Sequence, residues 1–186
     1  MDHGRVSTLA HGVLQVTGVQ AARCYQCGKC TAGCPMARFM DRPPHQVMRL
    51  LQLQDPAADA ELLSSSAIWR CASCLTCTQR CPQQLDPAAV MDVLREEALS
   101  RGLVSEAQRR IVAFHQAFLK TVERSGRMSE LPLLRRYKLA TFDLFGDVDL
   151  APRVLARGKM PLRSHRIAGR GEVRRIFAAA GRKGHA

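Results

Sequence analysis

Residues 41–63 read DRPPHQVMRLLQLQDPAADAELL. Two helices are written in that run. Pro44 suits a first helical turn, whose amides have no intrahelical partner anyway, and Val47, Met48, Leu50 and Leu51 follow as a buried side. Asp55-Pro56 then supplies a side chain that accepts from the first free amides, followed by a proline whose φ is already helical. The second helix runs to about Leu63. The alternation of apolar and polar residues that marks a half-buried strand is missing here and elsewhere in the chain.

On either side of this run lie two copies of one phrase. Residues 24–35 read CYQCGKCTAGCP and residues 71–82 read CASCLTCTQRCP, and together they contain all eight cysteines. Disulfides need an oxidising compartment, and the N-terminus MDHGRVSTLA lacks the basic and apolar regions of an export signal. Structural zinc uses separated Cys-x2-Cys knuckles that approach the ion from different sides, which three cysteines at consecutive two-residue spacings fit poorly. A pair of [4Fe–4S] clusters fits well. Cys-x2-Cys-x2-Cys wraps a turn of backbone around a cubane, and the fourth cysteine, three residues on and followed by proline, ligates the other cluster. The expected ligands are therefore Cys24, Cys27, Cys30 and Cys81 for the first cluster, and Cys71, Cys74, Cys77 and Cys34 for the second. Gly28, Gly33, Ala72 and Ser73 keep the backbone slim where it passes close to sulfur.

Small two-cluster ferredoxins built on β-hairpins place their motifs closer together, so the helical spacer argues for an all-α fold: an α-helical ferredoxin with two cluster-binding loops. Further helices are expected over 5–17, stopped by Gly18; in a turn capped by Ser66; from Asp86-Pro87 to Arg101, stopped by Gly102; and from the Ser105–Gln108 capping box to Ser125, with Ile111, Phe114, Phe118 and Val122 as its apolar face. Shorter pieces are expected over 131–140, 151–157 and 171–180. Residues 1–104 form the cluster module and 105–186 a basic helical extension.

The charge is uneven. Residues 1–119 hold 12 Lys/Arg against 10 Asp/Glu, whereas residues 120–186 hold 16 against 6. Such a tail contacts something acidic: nucleic acid, a membrane surface or a protein. Only Phe177 is available for base stacking in the last 36 residues, so a protein-docking role is favoured over a cluster-stabilised nucleic-acid-binding module. No apolar run is long enough to span a bilayer, which together with the N-terminus leads to the expectation of a cytoplasmic protein. No nucleophile–base set, phosphate loop or dinucleotide fingerprint occurs, so catalytic residues are not expected.

Three stretches, CYQCGKCTAGCP, IWRCASCLTCTQRCP (residues 68–82) and GKMPLRSHRIAGRGEVRRIF (residues 158–177), resemble the C-type iron–sulfur component of heterodisulfide reductase and its bacterial relatives over nearly the whole chain. The cysteine sets alone are shared with iron–sulfur domains of fumarate reductases and glycolate oxidases; Trp69-x-Cys71 and the C-terminal segment narrow the match. The resemblance implies an electron-transfer subunit that relays single electrons between a flavin- and cluster-bearing A-type subunit and a catalytic B-type subunit, and all eight cysteines carry over one by one. Lys29 could raise the potential of the first cluster, although an exposed loop lysine is the plainer reading. Tyr25 and Trp69 are expected to shield the clusters from water, and His45 and His115 to be surface or packing residues.

Overall fold

The computed structural model describes residues 8–143, 146, 156–157 and 167–183, and among them every regular element is helical. The order is α1 (Leu9–Thr17), α2 (Lys29–Ala32), α3 (Pro44–Leu53), α4 (Pro56–Ser64), α5 (Ala67–Arg70), α6 (Thr76–Gln79), α7 (Pro87–Ser100), α8 (Arg109–Ser125), α9 (Glu130–Thr141) and α10 (Arg170–Lys183). The all-α expectation holds. Residues 5–7 and 151–155 of the expected helices, and residues 158–166 of the C-terminal stretch that carried the resemblance, lie outside the described residues. The chain divides into two compact units, Met1–Gln108 and Arg109–Ala186.

In the first unit the caps read from sequence set four helix ends. Asp55 accepts from the Ala58 N–H at 3.0 Å and Asp86 from the Ala89 N–H at 3.0 Å, each just before a proline that opens the helix. Gly18 and Gly102 take left-handed φ values of 72° and 65°, which cost glycine nothing and end the preceding helices. One cap differs from expectation. Ser66 makes no side-chain bond at the start of α5. Its place is taken by Asp41, a long way back in the chain, whose carboxylate accepts from the Ser66 and Ala67 N–H groups at 2.9 Å and from the Ser65 hydroxyl at 2.8 Å. Desolvation pushes the Asp41 carboxyl up, but these hydrogen bonds outweigh it and hold it at about 2.

α1, α4 and α5 pack against α7, while α3 packs on α4 and α1. The core between them is aliphatic: Leu9, Val13, Val47, Met48, Leu51, Leu62, Leu63, Ile68, Val90, Met91 and Leu94 are essentially sealed from solvent. Each such side chain contributes about 1.5–3 kcal/mol by leaving water. Leu50, expected on the buried side of α3, is only half-buried.

The second unit packs α9 and α10 on α8. Here the expected face of α8 is displaced. Val112, Ala117, Thr121 and Ser125 are buried, whereas Phe114 and Phe118 are 44% and 37% exposed. Small residues let the neighbouring helices approach closely, and the hydroxyls are satisfied: Thr121 donates to the Ala117 carbonyl at 2.7 Å and accepts from Arg136 of α9 at 3.1 Å, and Ser125 donates to the Thr121 carbonyl at 2.6 Å. Phe114 instead meets Tyr137 of α9 edge-on, with ring centroids 5.9 Å apart.

Candidate metal centres

Each cysteine phrase folds in the same way. Gln26 and Gly28 in the first have φ values of 61° and 75°; Ser73 and Leu75, at the equivalent places in the second, have 49° and 60°. Two left-handed residues flank the middle cysteine of each set, curling the loop so that three sulfurs face inward. A four-residue helix follows, α2 in the first phrase and α6 in the second, ending just before the Gly33-Cys34-Pro35 and Arg80-Cys81-Pro82 corners.

The corners send the fourth cysteines across. One cavity is lined by Cys24, Cys27, Cys30 and Cys81, with His45, Met48, Leu85 and Pro87 among its walls. The other is lined by Cys34, Cys71, Cys74 and Cys77, with Pro44, Met40, Ala88 and Met91. The two enclose similar atom-free spaces of about 340 and 370 Å³, partly open to solvent. All eight cysteines are free thiols. The middle ones, Cys27 and Cys74, are exposed and the other six half-buried.

The donor set fits an iron–sulfur cubane better than a single ion. Zinc holds thiolates at about 2.3 Å from one centre, yet among the described residues no three His, Cys, Asp or Glu side chains stand close enough to share one ion. Four thiols set farther apart around an apolar chamber match a cluster that interposes an iron before each sulfur ligand. Burial pushes the Cys30 and Cys77 thiols above their usual value, and the Thr76 hydroxyl, 3.4 Å from Cys74 Sγ, draws that thiol below it. Donors already face other sulfurs: the Gln26 amide lies 3.5 Å from Cys24 Sγ and the Leu85 N–H 3.3 Å from Cys81 Sγ.

Supporting contacts tie each loop to the long helix after it. The Thr31 hydroxyl lies 2.7 Å from His45 Nδ1 and accepts from the His45 N–H at 3.1 Å. At the equivalent place Thr78 donates to Asp86 Oδ1 at 2.6 Å. His45 is thus a wall and a strut of the first cavity, a role that sequence reading gave only as packing. Trp69 is buried, and Tyr25 is more than half exposed with its hydroxyl hydrogen-bonded to Cys27; methionine, proline and leucine supply the apolar walls of the two cavities. Lys29 lies exposed on the surface. His115 stands exposed on α8 with its ring tilted 6.3 Å from Phe114.

Gln52 and Arg95 escaped sequence reading altogether. Gln52 donates from Nε2 to the carbonyls of Cys24 (2.6 Å) and Ala21 (3.0 Å). Arg95 donates to the carbonyls of Cys71 (2.8 Å) and Ile68 (2.5 Å). The signal that could have found them is a polar residue set eight places after the opening proline in both α3 and α7, on helices that otherwise bury aliphatics.

Comparison with known proteins agrees with this chemistry. Residues 20–85 match the 4Fe-4S dicluster domain family. The chain is 42% identical over 81 residues to the C-type component of the ferredoxin:CoB-CoM heterodisulfide reductase of Methanosarcina acetivorans, covering 44% of this chain and 31% of the relative. It is 32% identical over 91 residues to the C-type component of the H(2):CoB-CoM heterodisulfide,ferredoxin reductase of Methanothermobacter thermautotrophicus, covering 49% and 48%. With the C-type iron-sulfur component of the CoB–CoM heterodisulfide reductase of Methanopyrus kandleri it shares 35% identity over 100 residues, covering 54% and 50%. The chain thus spans half or less of the length of these relatives, and the similarity covers about half of this chain rather than nearly all of it.

Proposed function

We propose that this chain is an electron-transfer iron–sulfur subunit of a heterodisulfide-reductase-like complex. The observation that carries the reading is the pairing of two similar cavities, each gathering three thiols from one phrase and the fourth from the other. Cys24, Cys27, Cys30 and Cys81 would hold one [4Fe–4S] cluster, and Cys34, Cys71, Cys74 and Cys77 the second. When bound, such clusters accept and release single electrons. The protein's own part is to hold them dry and adjacent: Met48, Leu85 and Pro87 wall one chamber, Met40, Ala88 and Met91 the other. Exposed Cys27 and Cys74 give each chamber one edge at the surface, where a partner could approach.

The similarity to C-type components supports an A-type flavoprotein and a B-type catalytic protein as the partners on either side, within a cytoplasmic hetero-oligomer. Residues 1–104 would form the relay, and the basic residues 105–186 the surface that docks to the partners. No helix among the described residues is long and apolar enough to cross a membrane. Anaerobic purification with iron and sulfide analysis tests the reading. Two cubanes per chain are expected, and clearly fewer would overturn it. Co-purification with the two partner proteins tests the assembly, and salt-sensitive binding to DNA or RNA in its place would reassign the tail.

A further inference from the structure

The two halves of the first unit differ at one matched position in a way that bears on direction. Pro44 opens α3 and Pro87 opens α7; Met48 and Met91 follow four residues later, each walling one cavity. Four residues further on, the same alignment sets Gln52 against Arg95. Both side chains do one structural job. Each donates to the carbonyl of the first cysteine of its set and to the carbonyl three residues earlier. The geometry is shared and the charge is not.

We infer that Arg95 is a positioning residue that sets the cluster of Cys34, Cys71, Cys74 and Cys77 at a higher potential than its twin, making the second half the electron-accepting end of the relay. The inference rests on the reading of both cavities as [4Fe–4S] sites. Reduction places an extra negative charge in a cavity, so a fixed cation beside it favours the reduced form, and charge and hydrogen bonding are the means by which proteins shift cluster potentials.

The other charges to weigh include the exposed Asp92 and Lys29 and the half-buried Asp86, whose carboxylate accepts from Thr78 beside Cys77 and works against Arg95. The Arg95 side chain is 17% exposed and held at three points, so its field is poorly screened on the cluster side. Its partner Asp92, at 2.6 Å, is 63% exposed, and water screens the carboxylate more than the guanidinium. Lys29, beside the first cavity, lies exposed and is screened in the same way. Gln26 and Leu85 donate to sulfurs of the first set at 3.5 and 3.3 Å, and in the second set Cys74 Sγ donates to the Thr76 hydroxyl at 3.4 Å. These are dipoles, whereas Arg95 brings a full charge whose ion-pair partner, Asp92, is the more exposed of the two.

The test is a redox titration of the anaerobically purified full chain, followed by electron paramagnetic resonance, with the second cluster's signal assigned by its loss in Cys34→Ala. In Arg95→Gln, which installs the first half's residue, the second midpoint should move negative while the first stays. Arg95→Lys should restore most of the shift, and Gln52→Arg should move the first midpoint positive. Arg95→Gln with two cubanes and both midpoints unmoved overturns the inference, as does a positive shift. Should Arg95→Gln fail to retain its second cluster, Gln52→Arg decides: a rise in the first midpoint sustains the charge argument and an unmoved midpoint ends it. Fewer than two cubanes in the unmodified chain would remove the cluster reading itself, which separates that failure from this one.

Discussion

Set side by side, the half built from the first cysteine phrase with α3 and the half built from the second with α7 are the same device with different fittings. The left-handed residues fall at the same places, the loop threonines brace the same helix starts, and the same position on each long helix grips the first cysteine's carbonyl. What varies is chemistry: Thr31 is braced by His45, just after the helix-opening proline, and Thr78 by Asp86, just before it, while Gly28 stands against Leu75 and Gln52 against Arg95. The comparison teaches which features build a chamber and which adjust it. Backbone curvature and carbonyl anchoring recur, while charge and side-chain bulk do not.

The largest effect should come from breaking the exchange between the halves. Cys34→Ala should empty the chamber of Cys71, Cys74 and Cys77 and leave the other loaded, lowering iron content by about half; Cys81→Ala should do the reverse. Loss of the first cluster alone from Cys34→Ala would refute the crossed assignment.

The next test sets the two braces against each other. Asp86 both caps α7 and accepts from Thr78, so Asp86→Ala should cost about 1–2 kcal/mol. Pro43 has no side-chain acceptor to lose at the start of α3, so His45→Ala, removing only the link to Thr31, should cost less. Denaturant midpoints of the metal-loaded proteins give both values.

A third comparison exchanges the left-handed residues. Gly28→Leu should destabilise by about 1–2 kcal/mol, because a side chain at φ 75° crowds its own carbonyl. Leu75→Gly should be close to neutral, since relief of the same crowding at φ 60° offsets the greater freedom of glycine in the unfolded chain. Equal costs in the two directions would mean that the loops are not equivalent.

The smallest effect is the pH dependence of Asp41. Its folded value of about 2 lies below the ordinary 3.8, so its contribution is present above about pH 4 and is lost as pH falls toward 2. The slower cluster release of the unmodified protein relative to Asp41→Asn should therefore shrink between pH 5 and pH 3. A constant difference would show that the carboxylate's charge is not what caps α5.

Local signals in the sequence carried the helices that begin at Asp55 and Asp86 and end at Gly18 and Gly102, because a cap or a left-handed glycine acts within one turn. The cysteine grouping was legible too, since three thiols at two-residue spacing have few uses. Partners distant in sequence were not. Nothing near Ser66 indicates that Asp41 will take over its cap, and nothing near Gln52 points back to the Cys24 carbonyl. On α8 the apolar stripe of Ile111, Phe114, Phe118 and Val122 is real, but the adjoining stripe of Ala117, Thr121 and Ser125 is the one that is buried. Periodicity identifies an amphipathic helix without saying which of two adjacent stripes a close neighbour needs, and short side chains win where backbones approach.

Gly33 and Arg80 hold matching places in the two phrases, each one residue before the cysteine that crosses over, and they meet where α2 lies against α6. A Cβ added to Gly33 would sit 2.6 Å from the Arg80 side chain. A symmetrical dimer of one half would bring identical residues together at this point, two arginines repelling or two glycines leaving a gap. Joining the halves in one chain lifts that constraint, so the position on the symmetry axis can be empty on one side and filled from the other.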